Sequence, residues 1–296
     1  MRVLARFGAV GVAAACVLGT AACAGDDGSG DGAASSSAAA SSSSAGGGTY
    51  LALGDSVPFG YRGGESPEAY AKTSDFVGYP ELAADELGLD VLNASCPGET
   101  TASFLDPTAQ SNGCENSANG GPGFRSAYPL HVDYDAPSQS QLDLAVATLQ
   151  DTDDVQLVTL QIGANDAFLC QTTTADNCVS EVNTVASTVE TNVETILRTL
   201  RNDGGYDGRV VVVSYYAISY TDPFTAAATQ LLDGAITRAA DTYGATVASG
   251  FDAFQPVAKT SGGDSIAAGL VLPNDVHPTA KGQQLLADAV VAAVGG

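Results

Sequence analysis

Tryptophan is absent from the chain, methionine occurs once, and there are only two histidines. Without tryptophan, recognition of ligands by aromatic cages has little support. With two histidines, the search for a general base is short. Positive charge is scarce as well: 11 Lys and Arg stand against 34 Asp and Glu, a formal net charge of −23. Such a chain lacks the basic patch that a nucleic-acid partner requires and the polybasic segment that docks on anionic lipid. The acidity reads as a soluble, self-repelling surface. The apolar run near the N-terminus, residues 7–19, is thirteen residues long and too short for a comfortable membrane span.

That run follows Arg2 and Arg6 and ends in Thr20-Ala21-Ala22-Cys23, the layout of a secretory signal. The tetrapeptide resembles a bacterial lipobox, which implies removal of residues 1–22 and lipidation of Cys23. Cleavage at Ala22-Cys23-Ala24 is the competing reading. Residues 23–48 are rich in Ser, Ala, Gly and Asp and have no hydrophobic period. They read as a flexible tether with an r.m.s. reach of roughly 27 Å. The expected location is the outer face of the cell membrane as a lipoprotein, or secreted. From residue 49 the composition turns globular, and 49–296 reads as one domain. A hydrophobic content of 45% is enough for a proper core.

The domain opens on Tyr50-Leu51-Ala52-Leu53, a short apolar run that reads as a buried strand and breaks at Gly54-Asp55-Ser56. Further strands are expected over 89–96, 155–162, 209–216 and, more weakly, 245–251. Between them the apolar spacing predicts helices over 76–87, 139–149, 179–200 and 224–243, and a last helix after Thr279. Residues 102–138 have little regular pattern and read as a long loop. Strand and helix alternate throughout, which predicts a parallel sheet with helices on both faces, a three-layer α/β/α sandwich.

Cys16 leaves with the leader and Cys23 is taken if lipidated. Cys96, Cys114, Cys170 and Cys178 remain, and they allow three pairings. Cys96–Cys114 and Cys170–Cys178 are preferred because each closes a loop after a strand. Loops of this size contribute about 2–3 kcal/mol each in the chain-entropy picture. Their spacings fit no zinc pattern, and no histidine lies close.

A serine just past a buried strand stands where α/β sheets place their chemistry, outside the carboxyl ends of the strands. Ser56 is therefore a candidate nucleophile, although Gly-Asp-Ser is also an ordinary turn. His277 lies in a polar loop two residues after Asp275 and is the candidate base. His131, in the long irregular stretch, reads as a hydrogen-bonded loop histidine. Three strand ends look alike, carrying Ser56, Gly98 and Asn165. Acyl transfer needs a nucleophile, a base and donors aimed at the developing oxyanion. The N–H groups of Ser56 and Gly98 and the Asn165 side chain are the candidate donors, Gly98 because no Cβ would block the carbonyl oxygen. Asp55 and Asp166 read as supports of their turns through side-chain-to-backbone bonds.

Gly54-Asp55-Ser56, Gly98, Gly163-x-Asn165-Asp166 and His277-Pro278 resemble the four sequence blocks of the SGNH (GDSL-type) hydrolases, in the family's order, over nearly all of 49–296. The cysteines flanking the Gly98 and Asn165 blocks make the chain most similar to secreted actinobacterial esterases and lipases. The resemblance implies a flavodoxin-like sandwich with strand order 2-1-3-4-5 and a serine ester hydrolase with no metal or organic cofactor. One position departs from the pattern: the family's acid stands three residues before its histidine, and here that residue is Asn274. Asp275, a main-chain oxygen near Asn274, or a more distant carboxylate are the three ways to orient His277, with Asp275 preferred. The expected substrates are a small ester, a lipid or an acylated glycan, and a monomer is assumed. No long apolar lid is evident, which favours a short-chain ester over a lipid surface. Two rival functions are a lipid-anchored binding protein with an inactive hydrolase fold, and an acyltransferase acting on sugar or wall polymer.

Overall fold

The computed structural model describes residues 47–295. The leader at 1–22, Cys23 and most of the linker therefore lie outside the described residues. The chain runs β1 (Thr49–Gly54), α1 (Ser56–Phe59), α2 (Pro67–Tyr70), α3 (Tyr79–Leu87), β2 (Asp90–Asn93), α4 (Thr101–Leu105) and α5 (Phe124–Ala127). It continues through α6 (Gln141–Asp151), β3 (Val155–Gln161), α7 (Ala164–Thr173), α8 (Val182–Asn202) and β4 (Arg209–Val213). It ends with α9 (Pro223–Thr242), β5 (Thr246–Ala248), α10 (Gly250–Lys259) and α11 (Ala280–Gly295).

The five strands form one sheet in the order β2-β1-β3-β4-β5, and every pairing is parallel. The expected topology is the observed one. Parallel strands covered on both faces read as unbroken apolar runs, and the central strands do so: Leu51, Leu53, Val158, Leu160 and Val211 are wholly or almost wholly buried. On one face α3 packs against α11, and α11 against α10. On the other, α6 packs against α8, and α8 against α9. The apolar stripe of α8, Val189, Val193, Ile196, Leu197 and Leu200, is buried there. Among the described residues, no helix is long and apolar enough to cross a membrane.

Four expectations need correction. The second strand ends at Asn93 rather than 96, because the Asn93 side chain turns back to accept from the Ser95 N–H at 3.2 Å. The fourth strand ends at Val213 rather than 216, where the Tyr215 N–H turns to the Asp233 carboxylate at 2.9 Å. The fifth strand ends at Ala248, because the Ser249 hydroxyl caps α10 by accepting from Asp252 N–H, so Phe251 belongs to a helix. The turn expected at Gly163-Ala164-Asn165-Asp166 is the first turn of α7. The stretch 102–138 is irregular apart from α5 and the end of α4.

Both preferred disulfides are present, Cys96–Cys114 and Cys170–Cys178. Cys96 and Cys114 are completely buried in a second apolar cluster with Phe59, Phe76 and Leu130. Replacing both by Ala releases a closed loop with a sequence separation of 18. The double variant is expected to lose about 3 kcal/mol of unfolding free energy in urea titration. A loss below about 1 kcal/mol would contradict that staple's role.

Candidate active site

Gly54 ends β1 at φ +138°, and a Cβ there would lie 2.0 Å from the Gln161 carbonyl oxygen. Only glycine fits so close to β3. Asp55 then caps α1, accepting from Val57 N–H at 3.0 Å and from the Tyr215 hydroxyl at 2.5 Å. Ser56 follows as the first residue of α1 and is buried, 8% exposed. Its backbone N–H is one of the unpaired donors of a helix start.

His277 arrives from the opposite end of the chain. Its Nε2 is 2.9 Å from Ser56 Oγ, and its Nδ1 is 2.5 Å from Asp275 Oδ1. The other Asp275 oxygen accepts from Gly63 N–H at 2.9 Å, and Oδ1 also accepts from Val276 N–H at 2.7 Å. Asn274 adopts φ +59°, a left-handed turn that asparagine tolerates, and this turn precedes the carboxylate at 275. Of the three candidates, the Asp275 carboxylate lies within hydrogen-bond distance of His277 Nδ1. Burial alone would raise the Asp275 carboxyl, but the His277 hydrogen bond and charge, with the Gly63 and Val276 N–H groups, hold it well below the usual carboxylate range.

The other two strand ends are linked through Asn112, whose N–H donates to the Gly98 carbonyl oxygen at 2.8 Å. Gly98 sits at φ +86°, and a Cβ there would lie 2.5 Å from Gly113 Cα. Glycine is therefore required for backbone conformation and for packing against the loop stapled by Cys96–Cys114, a reason different from the expected carbonyl access. Asn165, 6% exposed, accepts from Asn112 Nδ2 at 2.9 Å through its Oδ1. Asn165 lines the cleft shared with Ser56 and His277. The N–H groups of Ser56 and Gly98 have no acceptor among the described residues. A hydroxyl on an imidazole and the imidazole on a carboxylate can move a proton from Ser56.

Asp166 does not support its own turn. It reaches across to the Gly98 segment, accepting from Thr101 N–H at 2.9 Å and the Thr101 hydroxyl at 2.5 Å. His131 lies in the loop with its Nε2 at 3.1 Å from the Phe59 carbonyl oxygen, a structural histidine. Among the described residues, one cluster could present metal ligands, Glu99 with Cys96 and Cys114. Those two sulfurs are bonded to each other and are not thiolate donors.

Several contributors carry no local sequence signal. Tyr61 packs edge-on against the His277 ring, centroids 4.9 Å apart. The Gln141 side-chain amide grips Gly54 at both its N–H and its carbonyl, at 2.6 and 3.0 Å, and donates to Glu99 at 3.1 Å. Glu99 is fully buried and also accepts from the Ser103 hydroxyl. Burial, reinforced by the Glu115 charge, pushes its carboxyl well up.

A model described as the GDSL-like lipase/acylhydrolase family matches residues 52–285. The chain belongs to this family. It is a carboxylic ester hydrolase, the activity class of that family. An acetylxylan esterase from Geobacillus stearothermophilus is similar at a TM-score of 0.54 and 16% identity, over 85% of this chain and 95% of that one. A chain described as a GDSL-like lipase from Parabacteroides merdae is similar at 0.52 and 13% identity, over 84% and 96%. At such identities the likeness speaks for the fold. No curated protein matches the chain.

Three acids, the buried Asp55 and the half-buried Asp166 and Asp233, have raised carboxyls. Burial pushes Asp55 and Asp166 up to about 6 and Asp233 up to about 7, against a usual value of 3.8. Hydrogen bonds from Tyr215 and Val57 and the His277 charge moderate the rise at Asp55. Each acid holds its proton more tightly folded than unfolded, so stability falls as pH rises from about 4 through about 7. The melting temperature is expected to be higher at about pH 5.5 than at about pH 8 in calorimetry. The reverse order would contradict the assignment.

Proposed function

We propose that the hydrolase cleaves carboxylic esters through an acyl-enzyme on Ser56. The observation that carries this reading is the line from Ser56 Oγ to His277 Nε2 and from His277 Nδ1 to Asp275, at 2.9 and 2.5 Å. Ser56 Oγ attacks the ester carbonyl carbon as its proton passes to His277 Nε2. The carbonyl π pair moves to oxygen, and the N–H groups of Ser56 and Gly98 and the Asn165 amide hold that charge. The charge re-forms the carbonyl, the alkoxy bond breaks, and the alcohol leaves with the proton from His277. Water, deprotonated by His277, then attacks the acyl-enzyme, and the carboxylic acid departs as Ser56 regains its proton. Asp275 holds the imidazole in the tautomer that presents a bare Nε2 and stabilises the imidazolium.

The substrate is an ester or an acylated sugar. Export is supported by the two disulfides, bonds that persist in oxidising compartments. The lipid anchor at Cys23 rests on Thr20-Ala21-Ala22-Cys23 alone. A single domain over 49–296 is supported by the one sheet that all the long helices cover.

Kinetics on activated esters test the roles. Ser56→Ala is expected to lower kcat by about 10⁴-fold or more. Asp275→Ala should lower kcat by about 10²–10⁴-fold, and Asn165→Ala by about 10²–10³-fold. For Asp275→Ala a loss of less than about tenfold would move the orienting role to a main-chain oxygen.

A further inference from the structure

The cleft that opens beside Ser56 is apolar and has a volume of about 230 Å³. Ser56, Asn165 and His277 line one part of it. The other walls are faces of three helices, mainly apolar: Phe168 of α7, Val185 and Ala186 of α8, Ala228 and Leu232 of α9, with Gln171, Thr225 and Thr229 as the polar side chains among them. Exposed large apolar residues are few in the described chain, namely Val77, Val179, Phe224 and Val276. Phe224, 62% exposed, and Val276, 38% exposed, both line the cleft. Val179 follows Cys178, which lines it too. An isolated exposed apolar residue is ordinary, whereas a group of them at the mouth of an apolar cleft marks a binding surface.

We infer that this cleft takes the acyl part of the substrate, and that this part is an aliphatic chain of medium length rather than an acetyl group. The inference rests on the reading of Ser56 as nucleophile. The leaving alcohol has to sit within reach of His277 Nε2, and that ring is flanked by Tyr61 and Asp275. The acyl chain then extends the other way, past Asn165 and along α7. An acetyl group ends at its methyl and leaves the walls of α8 and α9 in water. A sugar would press most of its hydroxyls on Phe168, Val185 and Leu232, which return no hydrogen bonds, and the few polar side chains of the lining cannot satisfy all of them. An alkyl chain removes that apolar surface from water and needs no polar partner. The Cys170–Cys178 bridge ties α7 to the segment before α8, so one wall is fixed before the substrate arrives. The missing apolar lid is no obstacle, since the walls are helix faces and need no separate lid.

The test is a series of p-nitrophenyl esters from acetate to decanoate on the parent protein and on Ala228→Trp. Each methylene buried is worth up to about fourfold in kcat/KM. The parent is expected to favour octanoate over acetate by at least about tenfold. Ala228→Trp fills the cleft and should lower that octanoate-to-acetate ratio at least about tenfold. Phe224→Ser, at an exposed position that does not hold the fold, should lower the ratio in the same direction. A parent ratio at or below one, or a ratio that neither variant moves, would overturn the inference. Calorimetry with Ser56→Ala protein reads the cleft without the chemistry: methyl octanoate should bind and methyl acetate should not. If no ester is turned over, the reading of Ser56 fails, and the calorimetry decides the cleft by itself. Binding of methyl octanoate then supports the cleft, and its absence overturns it.

Discussion

The Asp275 carboxylate ties the two ends of the domain together. It accepts from Gly63 N–H, a residue of the loop that follows α1, and from Val276 N–H and His277 Nδ1 in the C-terminal loop. Some 212 positions separate Gly63 from Asp275. This shared acceptor joins the His277 loop to the loop beside Ser56, and so holds the imidazole over the hydroxyl. Tyr61 adds a ring edge against the imidazole from the same loop. The carboxylate stays ionised because backbone N–H groups and the imidazole all donate to it, and these outweigh its partial burial.

The other side of the site is a problem in backbone placement. Three parallel strands must end so that their next residues point into one small volume. Gly54 and Gly98 allow this by positive φ and by approaches that a Cβ would block. The buried bridge from Gly54 through Gln141 to Glu99 joins the turn that carries Ser56 to the turn that carries Gly98. A raised Glu99 carboxyl suits this place, because a neutral group in the core avoids the cost of an unpaired charge. Asn112 performs the corresponding task for Asn165, donating to its Oδ1 and so fixing the direction of the amide.

The strands and the residues at their ends are legible in the amino-acid sequence. Buried parallel strands write long apolar runs, so the sheet and its flanking helices follow from 155–162, 209–216 and the period of α8, while the strand order is implied by the resemblance to the SGNH hydrolases. Ser56, Gly98 and Asn165 are legible as residues of successive strand ends, because glycine and polar residues break the apolar runs there. Helix starts are less so. Asn165 and Gly250 lie in helices where the sequence shows a turn and a strand, since polar or small residues suit a helix's first turn and a loop equally well. The contacts that align the site are the least legible. Gln141 meets Gly54 across 87 residues and Asn112 meets Asn165 across 53, and neither pairing leaves a local pattern. The left-handed turn at Asn274, just before the carboxylate at 275, is a further case.

Whether Ser56 Oγ is the atom that attacks the scissile carbonyl is tested most directly by covalent labelling. Purified protein would be treated with a small fluorophosphonate and its peptides read by mass spectrometry. The expected result is one phosphonyl group, on the peptide carrying Ser56, with ester turnover lost in step with its appearance. A label on another residue that abolishes turnover, or continued turnover with Ser56 fully labelled, would contradict the role given to this serine.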